Sequence, residues 1–390
     1  MDRRRFLEAS LATAALGALG SGTATAALTA SVATNYRKTL VLIELKGGND
    51  GLNTVVPYTD PAYYALRPKL AVARDAVIPL SDRCGLHPSL APLLPLWKEE
   101  RLAVLQGIGY PSPNLSHFRS IEIWDTASSS GAYLQDGWLT RTFAAAPVPR
   151  SFAADGVMIG SNDLGPLTGS GTRAVALANT DRFLRQAKLA GAQGKAQNKA
   201  YRHVLKVEAD IVQAAAHLDS HYKFSAEFPE SGFGNTVRTG CQVIANAESA
   251  AVVRLTLSGF DTHGGQAPTQ TRLLGDLARG LLALKAALVE IGRWDDTLIV
   301  TYAEFGRRPK ENLSNGTDHG TANVHFALGG RVAGGFYGES PSLDRLGGDG
   351  NTGYAVDFRS VYATVLEQWW GIPSPSILGG KFASVPFLRA

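Results

Sequence analysis

Thr297–Val324 reads TLIVTYAEFGRRPKENLSNGTDHGTANV and decides the fold. The apolar run Leu298, Ile299, Val300 ends at Glu304, and a Gly/Asn-rich loop then delivers Asp318 and His319. An uninterrupted apolar run suits a strand buried on both faces, as in a parallel sheet. Ligands in open α/β sheets collect beyond the carboxyl ends of such strands. Glu304, Asp318 and His319 therefore stand where chemistry is expected.

Three further segments have the same character: Thr39–Leu45, Leu102–Gly107 and Val252–Ser258. They run into GGND, YPSPNLSHF and GFDTHGGQ, loops rich in Gly, Pro and polar groups. Helical spacing marks Thr271–Gly292, with Leu274, Leu277, Leu281, Leu284, Leu288 and Ile291 on one face. A longer, more polar helical stretch covers Gln193–Phe224, Ser89–Lys98 reads as an interrupted helix, and Asp357 caps a last one through Trp370. Residues 125–190 are rich in Gly, Ala, Ser and Pro, and their pattern places no elements. Strand–helix alternation makes the chain α/β, one domain over residues 27–390 with a helical insertion at about 181–225.

The N-terminus, MDRRRFLEASLATAALGALGSGTATA, carries the pair Arg3-Arg4, then Arg5 and Phe6-Leu7. A short Ala/Leu/Gly stretch leads to Ala24-Thr25-Ala26, an A-x-A cleavage signal. We read residues 1–26 as a twin-arginine signal peptide, cut after Ala26, which implies the twin-arginine export machinery as a partner and a periplasmic or secreted protein. A membrane anchor would need about 20 apolar residues, and this stretch is shorter and interrupted by Glu8. No stable membrane span is expected after cleavage. The whole chain has a net charge of +4. Three arginines and two acids leave with residues 1–26, so 35 basic residues face 32 acidic ones. No basic cluster points to nucleic acid. Cys84 and Cys241, the only cysteines, form either one disulfide or two buried thiols.

Each strand-end group has a chemical and a plain reading. Asp50 could ligate a metal with Asn49 or Asn53 beside it, or build an Asn-Asp-Gly turn. Ser116 begins a helix carrying Phe118, Ile121 and Trp124 on one face, and is either its N-cap or a nucleophile. His117 follows it, but helix neighbours do not face each other, so a Ser-His dyad is not expected. Asp261 and His263, two apart in an extended segment, either point to one side and suit zinc or manganese, or are a loop Asp capping the helix from Thr271 and an exposed His. Glu304, Asp318, His319 and His325 complete the carboxylates and imidazoles, and Arg307 and Arg308 either hold an anion or stand solvated. The P-loop, H-E-x-x-H, G-x-S-x-G and C-x-x-C patterns are absent.

On LIELKGGNDGLNTVVPY, GLHPSLAPL, SHFRSIEIWDTA, FDTHGGQ, AEFGR and GTDHGTAN, the chain resembles the exported bacterial proteins of domain-of-unknown-function family 1501. That family is distantly similar to the alkaline phosphatase and sulfatase superfamily. The resemblance implies an alkaline-phosphatase-like α/β core with a mostly parallel central sheet flanked by helices. It implies one or two divalent ions (zinc, manganese or magnesium) held by Asp50, Asp261, His263, Glu304 and His319, with Ser116 as nucleophile. Asn49, Arg307, Asp318 and His325 are additional metal or substrate candidates. Two departures stand out: Phe305 occupies a ligand-His position, and Gly265 falls where Asp-x-x-x-His spacing puts a ligand, so His263 must substitute. In a second register Asp318-His319 are the paired ligands and His325 the later one. The expected activity is hydrolysis of phosphate or sulfate esters, on a small-molecule or glycan substrate; the alternative is a non-catalytic member binding envelope glycan or protein.

Overall fold

In the central sheet, alternate residues of each strand feed opposite cores. The computed structural model describes residues 34–177, 222–246 and 248–389. The proposed signal peptide and nearly all of the proposed helical insertion lie outside the described residues. Strand β1 (Thr39–Lys46) sends Val41, Ile43 and Leu45 to one apolar cluster and Leu40 and Leu42 to the other. Period-two alternation with both faces covered is why Leu40–Ile43 and Leu45 are all apolar.

Strands β2 (Leu102–Gly109), β3 (Ala154–Ile159), β4 (Ala174–Leu177), β5 (Ala250–Ser258), β6 (Thr297–Tyr302), β7 (Asn323–Leu328), β8 (Gly335–Gly338) and β9 (Val356–Asp357) complete the sheet. Their order is β8-β2-β7-β6-β1-β5-β3-β4, with β9 also paired to β2. Central β1 runs parallel to both β5 and β6. Among the described strands of this sheet only β7 is antiparallel, to β2 and β6. The expected mostly parallel sheet flanked by helices is what the chain forms. Because β7 is reversed, it begins at the edge where β1, β2, β5 and β6 end.

Helix α1 (His117–Thr126) follows β2 and puts Ile123 and Trp124 into one core. Helices α2 (Gly232–Ala245) and α3 (Gln266–Glu290) cover the other face. Helix α3 starts five residues before the sequence expectation, because Pro268 sits in its first turn, where a missing N–H is tolerated. Helix α4 (Phe358–Thr364) begins at the expected cap, Asp357, whose carboxylate accepts from Arg359 N–H, and runs into a π-helical turn, Val365–Trp369. Cys84 and Cys241 are separate buried thiols, not a disulfide, and burial raises both thiol pKa values. No described helix is long and apolar enough to cross a membrane.

Candidate metal centre

The loops leaving β1, β5 and β6 are locked together by one buried arginine. Arg307 donates to the carbonyls of Gly48 (2.8 Å), Thr317 (2.9 Å), Phe260 (3.0 Å) and Gly47, and to Asp261 Oδ1 at 2.7 Å. It is 3% exposed and each of its three guanidinium nitrogens is engaged, so it does not stand free for an anionic substrate. The close approach requires glycine at 47, with φ +111°, where a Cβ would lie 2.4 Å from the Asp261 nitrogen.

Within that clamp, three imidazoles surround Asp261. His117 Nε2 lies 3.3 Å from Asp261 Oδ2, while His263 Nε2 and His319 Nε2 lie 3.1 and 3.3 Å from Oδ1. The two nitrogens of His263 and His319 are 2.9 Å apart. Potential ligand atoms of His117, Asp261 and His319 all fall within 4.8 Å of one another.

The opposite nitrogen of each ring meets an oxygen. His319 Nδ1 donates to Leu115 O at 2.7 Å, and since a carbonyl can only accept, the proton is on Nδ1. His117 Nδ1 is 2.8 Å from Glu304 Oε1, which also accepts from Gly47 N–H at 2.9 Å. His263 Nδ1 is 3.3 Å from Asp318 Oδ1, itself held by Asn312 at 3.1 Å. Oxygen partners on Nδ1 turn the Nε2 lone pairs inward, as around metals bound by histidine. In neutral rings so arranged, Nε2 lone pairs face each other and a carboxylate, and a cation or added protons must bridge them. The donor set of three nitrogens and one carboxylate fits zinc better than magnesium or calcium.

Electrostatics bias these groups differently. Burial tends to raise the Asp261 carboxyl, but the Arg307 hydrogen bond and charge, with His319 and His117, overcome it and hold the pKa at about 2. The hydrogen bond that His117 donates to Glu304 raises the His117 pKa against burial. Burial lowers that of His319. The Asn312 hydrogen bond lowers the Asp318 carboxyl pKa.

Of the residues expected from sequence, Asp261, His263 and His319 come together. Glu304 is adjacent but faces His117 Nδ1, supporting a ring instead of pointing into the cluster. Asp318 likewise backs His263. Asp50 does not join them: Arg67 grips its carboxylate at 2.6 and 3.0 Å, and Gln266 and the Asn53 N–H take further positions on it. Its pairing with Arg67 is 1% and 0% exposed, a structural ion pair plus a helix cap. Asn49 is buried and accepts from Thr54 at 3.1 Å. His325 lies on β7 against Trp124, ring centroids 5.4 Å apart, with neither nitrogen partnered and its pKa pushed down to about 3 by burial. The second register thus separates: His319 is in the cluster and His325 in the core.

His117 is the residue that sequence reasoning missed. Its position at the start of a helix after β2 is the available signal, but its partners Asp261 and Glu304 are distant in sequence. Ser116 is exposed, precedes α1, and makes no side-chain cap bond. Phe305, 2% exposed, packs on His117 and His319 at centroid distances of 4.9 and 4.5 Å. It fills the position where a further imidazole was sought.

Against this geometry, the family model described as "Protein of unknown function (DUF1501)" matches residues 37–369. The chain belongs to the DUF1501 family. A search of curated proteins gave no match. Among solved structures, this DUF1501 chain is similar to Ps i-CgsB at 11% identity, covering 87% of this chain and 72% of that one, with a TM-score of 0.40. The phosphonate monoester hydrolase of Agrobacterium radiobacter matches at 11% identity over 88% and 77%, TM-score 0.36. The C-terminal periplasmic domain of EcEptC from Escherichia coli, a zinc complex, matches at 10% identity over 75% and 72%, TM-score 0.36.

Proposed function

We propose that this DUF1501 chain is an exported, metal-dependent hydrolase of phosphate or sulfate esters with one metal centre. The observation that carries the reading is the inward turn of three imidazoles, each backed at Nδ1 by an oxygen, around the ionised Asp261. His117, His263, His319 and Asp261 would hold the ion. Bound there, a zinc-class ion would polarise an ester oxygen and lower the pKa of a nearby hydroxyl.

The chain's own residues contribute the remainder. Ser116, next to His117 with its hydroxyl unengaged, is the proposed nucleophile, and the free N–H groups starting α1 favour an anionic group beside it. Glu304 and Leu115 O hold the rings of His117 and His319. Arg307 keeps Asp261 ionised. Phe305 excludes water beneath two imidazoles. The twin-arginine segment, residues 1–26, would deliver the protein to the periplasm or beyond.

A second reading, a non-catalytic member binding envelope glycan or protein, is favoured by Asp50. With that carboxylate closed by Arg67, the larger ligand set expected for two ions is not assembled. Elemental analysis and turnover of aryl phosphate and aryl sulfate separate the readings. We expect one ion per chain, lost in His319→Ala, and a loss of 10³-fold or more in turnover with metal retained in Ser116→Ala. Unchanged turnover in Ser116→Ala removes the serine from the mechanism. Full metal content without turnover on any ester supports the binding reading.

A further inference from the structure

At the opposite edge of the sheet, a cavity of about 450 Å³ opens where β1 begins and β7 ends. Three cations line it: Lys38, Arg331 and Arg389. Among the described residues no carboxylate lines it. The nearest compensating acids act from outside: Glu100 pairs with Arg389 at 3.3 Å, and Asp296 influences Lys38. Neither Lys38 nor Arg331 forms an ion pair among the described residues.

This basic lining is built on rigid backbone. The indoles of Trp369 and Trp370 both donate to Lys38 O, at 3.2 and 2.8 Å. The Lys38 ammonium lies over the Trp369 ring, 5.3 Å from its centroid. Arg389 N–H donates to Arg331 O at 2.8 Å, and an antiparallel bridge joins Val332 to Leu388. The cations are thus placed by fixed main chain, although their mutual repulsion is unfavourable. Burial, then the charge of Arg331, lowers the Lys38 pKa, a cost that an incoming anion would offset.

The remaining lining sets the size and kind of ligand. Gln368 offers an amide, while Pro386 and Leu388 supply apolar surface. A bare tetrahedral anion would occupy a small part of a cavity in the range used for small-molecule binding. We infer that this pocket binds a sugar or polyol carrying a sulfate or phosphate ester, the cations taking the anion, Gln368 the hydroxyls, and Pro386 with Leu388 the C–H faces. The site is separate from the imidazole cluster and stands whether or not that centre hydrolyses anything.

Calorimetric titration of the full chain with a sulfated hexasaccharide, its desulfated counterpart and inorganic sulfate tests the inference. The sulfated sugar should bind, bind more weakly as salt rises, and keep its affinity in His319→Ala, which excludes binding at the metal centre. Lys38→Gln/Arg331→Gln should weaken it at least tenfold with an unchanged thermal midpoint, and Arg331→Lys should recover part of the loss. Should that double variant melt early, Arg389→Gln on the exposed C-terminal tail serves instead, with a loss of threefold or more expected. Equal binding by the charge variants, equal binding of the desulfated sugar, or inorganic sulfate binding as tightly as the hexasaccharide would each overturn the inference.

Discussion

Glu304 and Asp50 are both carboxylates in loops that follow central strands, yet their partners give them different work. Glu304 has one oxygen between His117 Nδ1 and Gly47 N–H and is 3% exposed. Replacement by Gln keeps the size but removes the charge that orients and strengthens the His117 donor. Glu304→Gln should weaken zinc affinity about 10–100-fold, read by competition with a chromophoric chelator, while folding persists. An unchanged affinity would deny Glu304 its supporting role. Asp50→Asn should instead leave metal content intact and destabilise the fold by about 3–5 kcal/mol in urea, because it strands the buried Arg67 guanidinium. Loss of metal with full stability would restore Asp50 to the ligand set. Asp261, His263 and His319 were legible because their strand-end spacing carries them to one edge. Asp50 shares that placement, but its role is decided by Arg67, seventeen residues on, which no local pattern couples to it. His117 is not legible because its partner Glu304 lies 187 residues away and no local pattern couples them.

Element by element, the sequence was clearest where burial is two-sided. The four apolar runs became β1, β2, β5 and β6 within about two residues at either end. Strand β3 and the edge strand β4 are not legible because ADGVMI contains Asp and Gly and AVAL has only four residues. Reversed β7 carries a prediction through His325. Its folded pKa of about 3 lies below the unfolded value of about 6.5, so both states are neutral above pH 6.5. As pH falls from 6.5 towards 3, the unfolded chain takes up a proton that the folded chain refuses, and stability drops by about 1.4 kcal/mol per pH unit. His325→Phe removes this term and keeps an aromatic ring against Trp124. Between pH 7.5 and pH 4.5 the variant should lose about 2–3 kcal/mol less than the parent in denaturant titrations. Parallel losses in both proteins would show that His325 is protonated or hydrated in the folded state.

Across the whole molecule, the centre exists only because the strand order folds distant sequence onto one edge. His117 follows β2, Asp261 follows β5, and His319 precedes β7, so no short segment contains the donor set. An unfolded chain would offer these groups separately and bind a cation weakly. A cation bound to the native state alone stabilises it by RT ln(1 + [L]/Kd), about 2.7 kcal/mol at a free concentration one hundred times Kd. With an unfolding entropy of about 2.1 cal/mol/K per residue, that raises the thermal midpoint by roughly 4 °C. Zinc added to chelator-treated protein should produce this shift, and Asp261→Ala should abolish it. The variant separates the centre from adventitious surface binding, because Asp261 is the one carboxylate facing all three imidazoles. A midpoint that ignores zinc in the parent, or rises equally in the variant, would remove the metal from this edge and with it the basis for hydrolysis.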